Sequence, residues 1–133
     1  MRRRRPDRAM ATAACLVTVL AGVEAAGAPS RAHVTRSPVG LDQDVVVSLA
    51  DVSPGARFQA RVVVVSTFMR GLCVEREVVV GRSTRTGRLR LRFARSTRFG
   101  LWCQGSAYRG VVQSLGGRGR IIARFGFHVM RIG

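Results

Sequence analysis

The sequence contains no lysine and few acidic residues. All 23 basic residues are arginines, against seven aspartates and glutamates, and the formal net charge is +16. No acidic residue follows Glu77, whereas twelve arginines lie between Arg82 and Arg131. GC-rich codon usage explains arginine in place of lysine, but it does not explain the scarcity of acids, which also have GC-rich codons. The one-sided charge indicates either anionic partners or a compositional bias without function, and both interpretations stay open.

Residue types that catalysis needs are also scarce. The only histidines are His33 and His128, and neither stands in a pattern that supplies a nucleophile and a third, orienting group. Asp42 and Asp44 are near neighbours, but they lie at the start of a predicted strand, where solvated carboxylates are common. No glycine-rich loop stands between a strand and a helix, so nucleotide binding has no support. We expect a protein that is not an enzyme and that uses no cofactor.

The first 28 residues have the pattern of a cleaved export signal. Arg2–Arg5 and Arg8 form a basic start, an apolar run extends from Ala9 to Val23, and small residues follow. This run is shorter than the roughly 20 residues that span a bilayer. We predict a signal peptide over residues 1–28 with cleavage near Ala25–Ala28, by the general or the twin-arginine route. The mature protein is then secreted or held at the cell envelope.

The cysteines leave one arrangement for a disulfide. Cys15 lies within the predicted signal, so Cys73 and Cys103 are the pair that stays in the mature chain. An even pair in an oxidising compartment usually forms a bridge, and closing a loop of about 30 residues stabilises a fold by roughly 3–4 kcal/mol. We predict a Cys73–Cys103 disulfide in a single domain.

Alternation of apolar and polar residues dominates the rest of the chain and predicts β-strands. It is clearest in Gly87–Phe93, where leucine and phenylalanine alternate with arginine, and in Ile121–Val129. The apolar run Val62–Val65 indicates a central strand buried on both faces. Turn residues such as Ser53–Gly55 and Gly116–Gly119 separate the strands. The predicted strands are Asp44–Ala50, Arg57–Phe68, Leu72–Val80, Gly87–Phe93, Tyr108–Leu115 and Ile121–Val129, with a short seventh over His33–Arg36.

Short strands at this spacing are typical of an antiparallel β-sandwich of six to seven strands. We assign residues 41–133 to this domain and residues 29–40 to a flexible lead-in. The stretch Trp102-Cys103-Gln104-Gly105, followed by Tyr108-Arg109-Gly110-Val111, resembles one found in small secreted immunoglobulin-like proteins of actinobacteria. Those proteins have proline at the position of Gln104 and a tyrosine one residue nearer. The resemblance implies an immunoglobulin-like sandwich and a secreted setting, and it implies no activity.

Arginines at alternate positions predict a cationic surface. Arg88, Arg90 and Arg92 share one face of their strand, and Arg120 and Arg124 would extend it if both strands belong to one sheet. Guanidinium groups on such a plate suit phosphate or carboxylate groups. The alternative is that these charges only prevent aggregation through strand edges. We expect an anionic envelope polymer or an extracellular protein as the partner, with a membrane surface as a further alternative. The lack of spare aromatic residues for base stacking disfavours nucleic acid.

A second hypothesis is an exported copper-binding protein. His128 and Met130 point to the same side of the last predicted strand, and imidazole and thioether ligands suit copper. The many arginines nearby disfavour a bound cation. The anion-binding module is therefore the first expectation, and a metal site at His128 and Met130 is its alternative.

Overall fold

The computed structural model describes residues 30–67 and 71–132, and the predicted signal peptide lies outside them. The described residues are entirely β and contain no helix, which confirms the predicted class. None of their segments is therefore a helix that could cross a membrane. The eight strands are β1 Ser30–Arg31, β2 His33–Val34, β3 Val45–Leu49, β4 Arg57–Val64, β5 Arg76–Arg82, β6 Leu89–Phe93, β7 Ala107–Ser114 and β8 Ile121–His128.

The strands form two sheets that share one core. The larger sheet has the order β1-β8-β7-β4-β5, and the smaller one has the order β2-β3-β6. Neighbouring strands are antiparallel, except that β1 and β8 run parallel. The chain passes to the larger sheet between β3 and β4, returns between β5 and β6, and crosses again between β6 and β7. Consecutive parts of the chain therefore contribute to both layers.

The core lies between the sheets and follows from the two-residue period of the strands. On β6, Leu89 and Phe93 are buried, whereas Arg90 and Arg92 between them are exposed. Phe93 of the smaller sheet contacts Phe125 of the larger one, with ring centroids 6.3 Å apart. Because the inward side chains of both sheets meet in this core, their outward side chains point in opposite directions.

One glycine on β7 leaves room for the ring of a phenylalanine on the neighbouring strand β8. Gly110 on β7 is paired with Phe125 on β8. A β-carbon at Gly110 would come within 2.1 Å of Phe125 Cζ, so the ring occupies the space that a side chain would need. A glycine inside a strand commonly marks such a close approach.

The predicted disulfide between Cys73 and Cys103 is confirmed, with Cα atoms 5.0 Å apart. Trp102 and Tyr108 lie beside it and are almost completely buried. The Tyr108 hydroxyl accepts a hydrogen bond from the Cys103 N–H at 2.8 Å and donates one to the Val74 carbonyl at 2.6 Å. The disulfide and the tyrosine therefore join the segment before β5 to the segment before β7.

The expected flexible lead-in, residues 29–40, instead forms part of the fold from Ser30 onward. β1 pairs with β8 and β2 pairs with β3, so this short segment contacts both sheets. Ala32 and Val39 are buried, and Val39 also forms a bridge to Val129. The segment is ordered by these contacts because its few apolar residues complete the core.

The prediction that Val62–Val65 is buried on both faces is wrong. Val62 is buried, but Val63 and Val65 are 50% and 49% exposed. No described element covers the outer face of the larger sheet, although β4 is an interior strand of it. The next strand also differs from its prediction, since β5 begins at Arg76 and not at Leu72. Val63 and Val65 lie on the exposed outer face of the larger sheet.

Candidate anion-binding site

The five arginines predicted to form one plate are distributed over the two sheets. Arg90 and Arg92 lie on β6, which Arg88 immediately precedes, whereas Arg124 lies on β8 of the larger sheet. Arg120 lies in the loop between β7 and β8. The condition for a single plate was that β6 and β8 share a sheet, but β6 pairs with β3. The expectation is therefore corrected to two separate faces, one on each sheet.

The larger sheet carries the more extensive cationic face. Arg31 on β1, Arg61 on β4, Arg76 on β5, Arg109 on β7 and Arg124 on β8 are all exposed. Arg61, Arg76, Arg109 and Arg124 alternate across the strands with valine or glycine. We call these five residues the arginine checkerboard.

The register of the strands produces this alternation. Within the set, only Arg31 lies directly opposite another arginine, namely Arg124. Outside the set, Arg57 on β4 and Arg82 on β5 are exposed on the same face and also lie directly opposite each other. Like charges directly opposite each other destabilise a strand pair, so a diagonal arrangement allows more charge on one face. Two central rows of directly opposed residues cross the sheet from β5 to β8. The first row consists of Val78, Arg61, Val111 and Arg124, and the second of Arg76, Val63, Arg109 and Gly126.

The diagonal arrangement also sets the spacing of the backbone positions from which the guanidinium groups extend. Arg76, Arg61, Arg109 and Arg124 follow one another in a zigzag across four strands. Diagonal neighbours on adjacent strands lie about 7–8 Å apart. A small anion can reach one or two members of such a series, whereas a polymer with repeating anionic groups can engage all of them.

No carboxylate in the described part of the chain neutralises this face. Glu77 is the only acidic residue in the five strands, and it pairs with Arg95 in the interior. The other ion pair among the described residues joins Arg92 and Asp44, neither of which belongs to the larger sheet. The five guanidinium groups of the checkerboard therefore have no carboxylate partner among the described residues.

A shallow depression of about 820 Å³ lies on the same face. Four members of the checkerboard, Arg31, Arg61, Arg109 and Arg124, line it. Gly126 also lines it and leaves space between the strands because it has no side chain. The depression is open to solvent, which suits an extended ligand better than an enclosed small molecule.

The smaller sheet presents a second and shorter cationic face. His33 on β2, Ser48 on β3 and Arg90 on β6 form one row across its three strands. These residues and Arg88 line a depression of about 290 Å³. We call His33, Arg88 and Arg90 the second face; the described residues contain no ion pair to either of its arginines.

Arg92 differs from its neighbours because a carboxylate neutralises it. Asp44 accepts a hydrogen bond from Arg92 Nε at 2.6 Å and another from the backbone N–H of Arg95 at 2.7 Å. The Arg95 hydrogen bond, together with the Arg92 guanidinium, holds the pKa of Asp44 below its ordinary value. Arg92 therefore ties β6 to the start of β3, and the anion-binding assignment stays with Arg88 and Arg90.

The Asp44 contact predicts a loss of stability in acid. Because the pKa of Asp44 is lower in the folded chain, its stabilisation is present above the unfolded-state pKa and disappears as the pH falls through the folded-state pKa. Asp44→Asn should lower the free energy of unfolding by about 1 kcal/mol at neutral pH. Urea unfolding should show the two proteins converging in strong acid. The control is Asp42→Asn at an exposed position. A difference in the free energy of unfolding between wild type and Asp44→Asn that does not change with pH would contradict the prediction.

His128 and Met130, the residues of the copper hypothesis, are both exposed at the end of β8. His128 lies with Arg109 and Arg124 around the depression of the larger sheet. The other histidine of the chain, His33, lies on the other sheet, on β2. Residues 30–67 and 71–132 contain no group of three or more His, Cys, Asp or Glu side chains that could hold a metal ion. The surroundings of His128 therefore favour an anion over a cation.

Arg95 is a buried charged residue of the core, and the sequence patterns do not predict its burial. Its side chain is only 2% exposed, and its guanidinium lies 4.4 Å from the centre of the Trp102 ring. It pairs with Glu77, and its Nε donates a hydrogen bond to the Ala94 carbonyl at 2.6 Å. Its Nη1 has no hydrogen-bond partner among the described residues. Arg95 thus closes the aromatic core near β5 and β6 and takes no part in either exposed face.

Four members of the checkerboard were not among the predicted site residues: Arg31, Arg61, Arg76 and Arg109. Arg31 and Arg109 are the single arginines of β1 and β7, and Arg61 and Arg76 are separated from the second arginine of their strands by three and five residues, so no local run of charge marks any of them. The sequence pattern that would predict them is the alternation of arginine with valine or glycine on three neighbouring strands of the larger sheet. Their convergence depends on the pairing of strands that lie far apart in the sequence.

Comparisons with known proteins do not assign a family to the chain. No protein-family model matches it, and no curated protein matches it significantly. The functional argument therefore depends on the geometry and charge of the two faces.

Proposed function

We propose that the protein is an exported binding module that attaches to an anionic polymer through the arginine checkerboard. The observation that carries this proposal is the zigzag of four exposed arginines across an open sheet face that has no acidic neighbour in the described strands. Guanidinium groups bind phosphate and carboxylate groups through paired N–H donors. The sheet holds their backbones in place before the ligand arrives, which reduces the entropy lost on binding.

Export is proposed on two grounds. The basic and apolar pattern of residues 1–28 is typical of a secretory signal. The Cys73–Cys103 disulfide is of the kind that persists in oxidising compartments. The proposed location is outside the cell or at its envelope, where wall polymers and acidic polysaccharides are available as ligands.

We also propose that the fold is immunoglobulin-like and that the module is not an enzyme. In that fold a sheet with strands A, B and E packs on a sheet with strands G, F and C. The orders β2-β3-β6 and β8-β7-β4-β5 correspond to this arrangement, with β5 added beside the strand that corresponds to C. The Tyr108 hydroxyl bonds to the backbone of Cys103, five residues upstream, and so resembles the tyrosine corner of such domains.

Binding to long-chain polyphosphate is the first test of the proposed function. Each contact between an arginine and a phosphate releases a counterion, so affinity for the immobilised polymer should fall steeply with salt. With about four contacts, we expect a roughly 50-fold loss between about 50 and 200 mM salt. Neutral dextran on the same support should retain no protein. Absence of binding to polyphosphate, or binding that does not change with salt, would contradict the proposal.

Two variants with the same net charge distinguish the face from the total charge. One replaces three arginines of the checkerboard with glutamine: R61Q, R109Q and R124Q. The other replaces three exposed arginines outside the strands: R85Q, R118Q and R120Q. We expect the first variant to lose about 30-fold in affinity and about 2 units of the log–log salt slope, and the second to lose about threefold or less. Equal losses would show that the total charge, and not the checkerboard, determines binding.

A further inference from the structure

We propose that the domain is bivalent and joins two chains of the anionic polymer, one on each sheet. The checkerboard binds the first chain, and the second face, with Arg88 and Arg90, binds another. This inference depends on the proposed function, because it requires that arginines on an open sheet bind the polymer. It goes beyond that function by giving the module a cross-linking activity.

The arrangement of the sheets directs Arg90 and the central arginines of the checkerboard to opposite sides, whereas Arg31 and His33 line one depression at the edge between the two faces. Inward residues of β6 and β8 meet in one core, as the contact between Phe93 and Phe125 shows. Two packed sheets lie about 10 Å apart, and their outward side chains extend away from each other. Arg90 and Arg124 therefore point to opposite sides of the molecule. A straight polymer segment on one face cannot reach the arginines of the other.

The second face has the features that a polymer site requires, on a smaller scale. Arg88 and Arg90 are exposed, and Ser48 and His33 continue the row of Arg90 across the sheet. A hydroxyl group and an imidazole add hydrogen-bond donors for anionic oxygens. The ion pair with Asp44 occupies Arg92, which limits this face to two unpaired arginines. We therefore expect it to bind the polymer more weakly than the checkerboard does.

The β5 edge is one place where a single chain could pass from one face to the other. β5 forms an open edge of the larger sheet and lies next to β6 of the smaller one. Glu77 faces the interior at this edge, and Glu75 lies just before it. Glu77 is paired with Arg95, and Arg82, Arg85 and Arg88 are exposed along the connection from β5 to β6, so the charge at this edge does not exclude one chain that wraps around the domain. The capture experiment distinguishes one wrapping chain from two separate chains.

A two-layer capture experiment tests the bridge. The full chain is first bound to immobilised long-chain polyphosphate, the surface is washed, and fluorescent long-chain polyphosphate is then added. The test variant is R88Q with R90Q, and the control is R118Q with R120Q, which has the same net charge and leaves both faces intact. We expect wild type and control to capture the fluorescent polymer. The test variant should bind to the surface within about threefold of wild type and lose second-layer capture by about tenfold or more.

The outcomes separate the bridge from the proposed function. If wild type does not bind to the surface, the proposed function is wrong and the bridge with it. If wild type binds to the surface but captures no fluorescent polymer, one face binds or one chain wraps around the domain, and the bridge alone is overturned. Capture by R88Q with R90Q at the wild-type level overturns it as well. Equal loss of capture in the control would attribute the second layer to net charge and would also overturn the bridge.

Discussion

Replacement of Trp102 by alanine is expected to lower the free energy of unfolding by about 4 kcal/mol, which is typical for truncation of a large buried aromatic residue. Trp102 is completely buried, and its ring centroid lies 4.9 Å from that of Tyr108 and 5.1 Å from that of Phe127. Its Nε1–H donates a hydrogen bond to the Gln43 carbonyl at 2.8 Å, which would lose its partner. The Arg95 guanidinium would lose the ring that covers it, and a buried charge beside a cavity is unfavourable.

Urea unfolding followed by circular dichroism can measure this change. Fluorescence is unsuitable because Trp102 is the only tryptophan of the chain. Phe99→Ala is the matched control, since Phe99 is an aromatic residue that is 61% exposed and should change stability by less than about 0.5 kcal/mol. A Trp102→Ala protein within about 1 kcal/mol of wild type would show that this cluster does not dominate the core.

Removal of the disulfide is expected to have the next largest effect. The bond closes a loop with a sequence separation of 30 residues. In the chain-entropy model its loss widens the unfolded ensemble and lowers the free energy of unfolding by about 3–4 kcal/mol. The double replacement Cys73→Ala with Cys103→Ala should therefore be much less stable. It should still fold, because the Val74 N–H donates a hydrogen bond to the Leu101 carbonyl at 2.9 Å and Tyr108 also bonds to Val74.

Wild type in the presence of a reducing agent is the matched comparison for the double variant. Both should unfold at a similar, lower urea concentration than the oxidised protein, with the same circular dichroism spectrum before unfolding. If the oxidised protein and the double variant differed by less than about 1 kcal/mol, the disulfide would not stabilise the fold as the loop length predicts.

Strand patterns and the cysteine pair are the features that the sequence predicts best. β6 and β8 are readable because burial of one face of a sheet imposes a two-residue period on the side chains. Leu89 and Phe93 alternate with arginines for this reason, and Phe125 and Phe127 do so with Arg124 and Gly126. The disulfide is predictable because only two cysteines lie outside the predicted signal.

The pairing of the strands is what the sequence does not predict. Arg90 and Arg124 look equivalent in their local patterns, yet they lie on opposite faces because β6 joins β3 and β8 joins β7. The exposure of Val63 follows from the absence of a described layer over the larger sheet, which no local pattern encodes. Likewise, Arg95 is buried by contacts with Trp102 and Glu77 that come from other parts of the chain.

The attachment of residues 30–39 to both sheets has a consequence for proteolysis. Val39 exchanges hydrogen bonds with the chain around β8, since its N–H donates to the His128 carbonyl and its own carbonyl accepts from the Met130 N–H, both at 2.8 Å. Loss of this segment would uncover the outer edge of β8, a strand of eight residues with three aromatic or aliphatic side chains in its inward row. Long uncovered edges of this kind recruit other strands and promote aggregation. A protease cut before Gly40 would therefore give the larger sheet a second open edge in addition to β5 and promote aggregation, so recombinant production should begin at or before Ser30.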